Sequence, residues 1–481
     1  MFVLNIFNLV FFVSSFVLSL YGLNMLILTL LFLISDRNNQ DVDVPLEWPK
    51  VTVQLPLFNE LSVVARLIES VVKLDYPRQC ITIQILDDSN DSTTDVVRDL
   101  VRLYQQQGIS IECYHRSHRL GNKAGALAAG LLASKDEFIA IFDADFVPNP
   151  DYLKKVIPYF NIKDVGMVQT RWGHLNPFHN LLTRAQTIAL DGHLVVEQVA
   201  RSRNDLLFNF NGSAGVWRKK CIVDSGGWQS DTIAEDLDLS YRAQIRGWDF
   251  RYLFDIVSPA EIPSELISFK SQQFRWVKGS VQCLCKHLLN IIRHSKFSFW
   301  QRYQAIMHLG GYLMHPMMLC FLISTVPYML YADTDKLLPT WLGFAGFGPP
   351  LLYAVAQISA YRDGLSRFVW FPVLMVLGLG VAVNNTKAVI EALFGYKSDD
   401  FVRTPKSSYV SNEDNEFYAN SNYLLVFLEI LFGIYAFVSL FISISKFPSM
   451  SPFLAFFFIG FLLVAIFSYL ETSRLLKNVK E

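Results

Sequence analysis

Residues 1–34 of this chain are almost wholly apolar, broken only by Asn5, Asn8, a few serines and a threonine. That run is longer than one helix needs to cross a bilayer. It has neither a basic leading segment nor a small-residue cleavage site, so it reads as a retained membrane helix and not a signal peptide. Apolar stretches return at about 305–331, 340–360, 368–393, 422–445 and 451–470. Hydrophobic residues make up 52% of the 481, more than a soluble protein of this length carries, and the membrane segments account for the excess. The net charge of −1 gives no basic field for nucleic acid. Six cysteines (Cys80, Cys113, Cys221, Cys283, Cys285, Cys320) form no metal-ligand spacing and read as reduced, structural residues.

Between the first span and the later ones lies a segment of different character, residues 48–295. Strand-like runs such as Val51–Leu55 and Ile81–Leu86 alternate with helical stretches such as 61–73 and 92–107. That alternation predicts a mostly parallel, doubly wound α/β sheet. Residues 296–481 form the membrane region. The stretch 368–393 is anomalous, with Asn384, Asn385, Lys387 and Glu391 in its second half. Ionisable groups are costly at bilayer depth, so it reads as a helix lying in the interface, leaving five spans. Lys286, Arg293, Lys296 and Arg302 precede the second span with no acid among them. The positive-inside rule then places the α/β domain in the cytoplasm.

The chemistry-bearing residues concentrate in that domain. The run Phe138–Phe142 ends in Asp143-Ala-Asp145. Carboxylates at i and i+2 on an extended segment point the same way. Two hard oxygen ligands side by side suit Mg²⁺ or Mn²⁺ held jointly with phosphates. A solvated Asp-x-Asp turn is the plainer alternative. Pro56, Asn59 and Glu60 follow the first strand, where open α/β sheets bind ligands, and Asp87-Asp88 ends the second. Arg116, Arg119 and Lys123 surround a glycine turn that opens a small-residue helix, an arrangement suited to an anion. Gly212 and Ser213 sit in a segment that lets a ligand approach the backbone. Glu235 and Asp236 stand at a helix start, explained either by the helix dipole or by general-base chemistry. Gln272, Gln273, Arg275 and Trp276 lie just before the basic membrane-proximal segment. Arginine suits a diphosphate and tryptophan the apolar face of a sugar.

In this order, the pieces resemble the inverting nucleotide-sugar glycosyltransferases of the cellulose-synthase superfamily, family 2, and look closest to the cellulose-synthase-like mannan and glucan synthases. The resemblance covers nearly the whole chain. It extends to Asn385-Thr-Lys387-Ala and to Phe401-Val-Arg403-Thr404-Pro-Lys406, similar to an interface helix and a gating loop at 397–410. It implies a GT-A-type catalytic domain in the cytoplasm with an α-helical transmembrane bundle. It also implies roles. Asp87 and Asp88 would contact the nucleotide base, and Lys123 the nucleotide or diphosphate. Asp143 and Asp145 would hold the metal-bound diphosphate, with Asp145 preferred as the direct ligand. Asp236 would be the catalytic base, beside Glu235. Gln272, Gln273 and Arg275 would meet the diphosphate and Trp276 the acceptor sugar. Phe401, Thr404 and Lys406 would close over the donor, although Arg403 stands where that group often has valine.

The expected activity is hexosyl transfer from UDP-glucose or GDP-mannose to a growing β-linked polysaccharide. The rival enzyme reading is single transfer to a membrane lipid, diacylglycerol or a polyprenyl phosphate. A transporter or sensor would place polar groups or broken helices at mid-membrane. Here the polar residues gather in the middle domain instead.

Overall fold

The computed structural model describes residues 2–35, 42–331, 340–395 and 412–480. The middle domain is built on one seven-stranded sheet in the order β3-β2-β1-β4-β6-β5-β7. The strands are β1 (Val51–Leu57), β2 (Ile81–Asp87), β3 (Ile111–His115), β4 (Phe138–Ile141), β5 (Val165–His174), β6 (Gly215–Arg218) and β7 (Asp249–Ala260). β1 through β4 pair in parallel, β6 runs antiparallel between β4 and β5, and β7 returns parallel to β5. The sheet is therefore mixed. Every residue of β4 is buried, as expected for a strand covered on both faces.

The two faces carry separate cores. One gathers Val53, Leu55, Ile83 and Ile85 with Leu67, Ile68 and Val97 of the covering helices. The other gathers Ile139, Ile141, Trp217, Leu239 and Phe250, and is continuous with Leu28 and Phe32 of the helix Phe2–Ile34 and with Leu352 and Ala356 of the helix Gly348–Ala360. The last turns of the N-terminal helix thus pack one face into the core of the α/β domain, and this fixes the domain against the membrane segments.

Among the described residues, four helices are long and apolar enough to cross a membrane: Asn5–Ile34, Gly311–Tyr331, Tyr423–Lys446 and Pro448–Arg474. The stretch expected as a span at 340–360 forms two shorter helices, Thr340–Ala345 and Gly348–Ala360, on either side of a turn. Gly346 and Gly348, followed by two prolines, account for the break. The anomalous stretch at 368–393 is also divided. Gly364–Gly380 and Ala382–Leu393 form a pair bent by 46°, and the second member carries all four of its polar residues.

The amphipathic helix Leu266–Arg293 joins the two regions. Its N-terminus is capped from the C-terminal membrane helix, where Glu471 accepts from the backbone N–H groups of Leu266 and Ile267 at 3.0 and 2.8 Å. Lys270, one turn on, reaches Glu429 at 2.7 Å and Ser468 at 3.2 Å, and this pair is buried. Removing one member of such a pair strands a charge, at a cost of about 3–5 kcal/mol, whereas replacing both with apolar groups is often neutral. Glu429→Gln should therefore lower the thermal midpoint in detergent, and Lys270→Met with Glu429→Leu should recover most of the loss. A single variant as stable as wild type would refute this role for the pair.

Candidate active site

The loops at the carboxyl ends of β1, β2 and β4 meet the start of the helix Glu235–Ile245. The first two loops are tied together. Asn59, in the left-handed region at φ 56°, donates its backbone N–H to Ser89 Oγ at 2.8 Å. Its side chain exchanges hydrogen bonds with Asn90, donating to the side-chain oxygen and accepting from the backbone. Pro56 lies within β1, and Glu60 is buried at the start of the turn into the next helix.

Asp87 is fully buried. Its carboxylate accepts from the Ser89 N–H and the Thr94 hydroxyl, and sits 2.9 Å from His115 Nδ1. Its neighbour Asp88 faces the opposite way and is gripped by Arg116, with Nε and Nη2 at 2.6 and 2.5 Å. Expected as one pair facing the nucleotide, the two thus divide: Asp87 holds the turn and Asp88 stands at its edge. Arg116, expected among the anion-binding cations, is spent on Asp88 and on the carbonyls of Leu120 and Asn122. Arg119 lies over the Phe58 ring at 3.6 Å. The turn between them needs left-handed backbone at Gly121 and Asn122, φ 73° and 50°.

Lys123, in the first turn of the helix Asn122–Ala133, is the centre of the arrangement. Its ammonium lies 2.7 Å from Asp143, 3.7 Å from Glu235 and 2.9 Å from the Gly212 carbonyl. Burial alone would discharge it, but Asp143, Glu235 and Asp236 together push its pKa above the ordinary lysine range. Asp143 is held from behind, its backbone N–H donating to Ser213 Oγ at 2.9 Å. Asp145 follows on the same turn, and its carbonyl accepts from the Glu261 N–H.

Glu235 and Asp236 both have raised pKa values. Burial is the main cause for each. In Asp236 the neighbouring Glu235 adds to it, Lys123 and the Leu237 N–H oppose it, and the net effect lifts the carboxyl to about 7. Asp238, on the same helix, goes the other way. Burial opposes its charge too, but hydrogen bonds from His287 and Lys286 and the charge of Arg242 hold it at about 2. A single helix turn therefore presents one carboxylate near neutrality to the site and a second that anchors the helix Leu266–Arg293.

Gly212 closes the centre. Its φ is 82°, and a Cβ there would sit 2.8 Å from Asp236 Oδ2. Gln272, Gln273, Arg275 and Trp276 are half-buried on the helix Leu266–Arg293. That helix abuts the turn leading into Glu235 and Asp236. A Cβ at Gly279 would meet Ala234 at 2.6 Å, and Gln282 accepts from the Ile233 N–H at 2.9 Å. Phe401, Thr404 and Lys406 of the expected gating loop lie outside the described residues.

The family model described as glycosyltransferase-like family 2 matches residues 49–279, the segment that contains this cluster. The chain is 35% identical over 371 residues to glucomannan 4-beta-mannosyltransferase 2 of Arabidopsis thaliana, covering 75% of this chain and 68% of that one. It is 33% identical to glucomannan 4-beta-mannosyltransferase 1 of Oryza sativa subsp. japonica, covering 75% and 69%. The chain belongs to glycosyltransferase family 2. Within it, the curated relatives are cellulose-synthase-like enzymes, and the protein is a hexosyltransferase. A mannosyltransferase of Pyrobaculum calidifontis, solved with GDP-Man and Mn²⁺, superposes with a TM-score of 0.52 at 17% identity, over 82% of this chain and 99% of that one. It shows the same GT-A-like fold.

Two contacts are not legible in the sequence. Arg116, expected to serve an anion, bonds Asp88, one position beyond the Asp87–His115 pairing of the adjacent strands. The π-helical turn Gly192–Glu197, which pairs His193 with Glu197, has no local signature.

Gly212→Ala combines a strained φ with a clash against the Asp236 carboxylate. Transfer should fall at least 100-fold with little change in thermal midpoint. A variant with more than a tenth of wild-type turnover would show that the close approach is dispensable.

Proposed function

We propose that the protein transfers a hexose, mannose in the first instance, from a cytoplasmic nucleotide-diphosphate sugar to a β-linked polysaccharide. The observation that carries this reading is the meeting of Asp143, Lys123, Glu235 and Asp236 around Gly212, where a leaving diphosphate and an attacking hydroxyl can be served at once. The curated relatives are named as glucomannan 4-beta-mannosyltransferases, which favours GDP-mannose over UDP-glucose and a polymer over a glycolipid.

In this reading Asp88, steadied by Arg116, contacts the nucleoside, with Pro56, Asn59 and Glu60 lining the same edge. Asp87 supports them from within. Lys123 neutralises the carboxylates and stands by the diphosphate. Asp236, deprotonated, takes the proton from the acceptor hydroxyl as that oxygen attacks the anomeric carbon from the face opposite the diphosphate. The nucleoside diphosphate departs, and the new linkage is β. Gln272, Gln273 and Arg275 hold the diphosphate, and Trp276 offers its face to the acceptor. Phe401, Thr404 and Lys406 close over the donor.

The donor set fits a divalent cation. Asp143 and Asp145 are hard oxygen ligands, and no cluster of three His, Cys, Asp or Glu side chains suited to a metal occurs among the described residues. That combination matches an ion shared between one or two carboxylates and substrate phosphates, Mn²⁺ or Mg²⁺. When bound, such an ion supplies charge stabilisation to the departing diphosphate. The basic residues flanking the second span favour a multi-pass protein with the domain in the cytoplasm, in contact with membrane lipids.

The test incubates purified protein with labelled GDP-mannose or UDP-glucose and sorts the product into organic-soluble lipid and enzyme-degradable polymer. Asp236→Asn should reduce transfer at least 1,000-fold while donor affinity changes less than threefold. Wild-type-like turnover in that variant would remove Asp236 from the role of base. Because Asp236 is raised to about 7 and acts only when deprotonated, kcat/KM should fall as pH drops below about 7 and level off above it. Glu235→Gln removes a neighbouring negative charge, so this acid limb should move to lower pH. A limb that stays in place would show that Glu235 does not tune the base.

A further inference from the structure

Two arginines from distant parts of the chain share one aromatic ring at the edge of the membrane region. Arg184 belongs to the helix Leu181–Asp191 of the α/β domain. Arg367 belongs to the short helix Gly364–Phe368, in the connection between Gly348–Ala360 and Phe371–Gly380. The Phe178 ring lies 5.7 Å from the Arg184 guanidinium and 4.8 Å from that of Arg367. Arg184 also lies over the Trp370 ring at 4.6 Å, and Arg367 over the Tyr361 ring at 3.7 Å. Ring and cation therefore alternate from Trp370 to Tyr361. Phe178, Arg184, Arg367 and Trp370 line a common groove.

Aromatic faces hold cations but do not neutralise them. Arg367 Nε donates to Asp363 at 2.9 Å, a pair whose carboxylate is exposed and whose attraction is correspondingly screened. Arg184 meets rings but no acid among the described residues. Arg362, exposed on the same connection, adds a third cation. The other acid beside these residues is Asp191, fully buried and already bonded to His174, Gln357 and Tyr361. The groove thus keeps a net positive charge.

What adjoins the groove sets its depth. Trp370 directly precedes Phe371–Gly380, whose Leu377 packs with Val464 of the apolar helix Pro448–Arg474. Tryptophan and arginine at the start of an apolar helix mark the headgroup level of a bilayer. Around the arginines, Phe178, Leu181, Leu365 and Val369 each keep more than half of their area exposed. Apolar side chains beside cations at this level suit the boundary between headgroups and acyl chains.

We infer that this groove binds the phosphate of an anionic phospholipid. Arg184 and Arg367 donate to its oxygens, and the exposed apolar side chains lie against its acyl chains. Guanidinium groups present paired donors that match phosphate oxygens. A free phosphate would answer the charge but leave the apolar rim bare. The bound lipid ties the α/β domain to the connection before Phe371. The inference rests on the membrane placement proposed above, and on neither the donor nor the acceptor.

The experiment titrates the full chain in detergent micelles with fluorescent phosphatidylserine or phosphatidylcholine and reads binding by polarisation. No sugar is transferred, so the result is independent of the transferase reading. Wild type should prefer phosphatidylserine at least tenfold. Arg184→Gln with Arg367→Gln should abolish that preference, and Lys296→Gln, on the separate basic segment, should keep it. Asp363→Asn releases Arg367 from its carboxylate and should tighten phosphatidylserine binding at least twofold. Arginines that served only to pack the helices would give no such gain, so this variant carries the test if the double variant folds poorly. Equal binding of the two lipids by wild type would overturn the site. So would an Asp363→Asn variant that binds no tighter, or a preference lost in Lys296→Gln and kept in the double variant. Displacement of phosphatidylserine by millimolar inorganic phosphate would reassign the groove to a free anion and overturn the lipid.

Discussion

The α/β half of this protein is organised around one half-buried ammonium. Lys123 is the counter-charge that lets Asp143, Glu235 and Asp236 occupy the same small volume. Three carboxylates gathered without it would take up protons or separate. The lysine's position depends in turn on the left-handed turn at Gly121 and Asn122, and on the Gly212 carbonyl that accepts its remaining hydrogen bond. Leaving-group chemistry and base chemistry therefore share a single electrostatic support.

The second constraint is mechanical. The α/β domain does not hang from a linker. Its core continues into Leu28 and Phe32 of the first membrane helix, and the helix carrying Gln272–Trp276 is fixed at its origin by Glu471, Glu429 and Ser468. The same helix packs against Ala234, two residues before Asp236. The membrane helices thereby set the position of the segment beside Asp236.

Much of this was legible in the sequence. The apolar blocks, the alternating strands and helices, and carboxylates at strand ends are periodic or local signals, so the fold class and the gathering of carboxylates at one sheet edge follow from them. Less legible were the breaks at Gly346 and near Val381, because hydropathy averages over the turn that divides a helix. The antiparallel β6 was missed for a similar reason: four buried residues carry no direction in their composition. The division of labour within Asp87-Asp88 was also hidden, since adjacent identical residues differ only in what the fold brings to each.

Sequence by itself determined that the chain has an apolar, membrane-like part and an α/β part, and that aspartates stand at the strand ends of the latter. These properties reside in periodicity and residue type. Only the tertiary structure decided which carboxylate on the helix Glu235–Ile245 is poised near neutrality. Asp236 meets Glu235 and a half-buried lysine, whereas Asp238 meets Lys286, Arg242 and His287. The two residues are chemically identical and two positions apart, and the partners that separate them, Lys123 for one and Lys286 and His287 for the other, come from distant parts of the chain that only folding brings together.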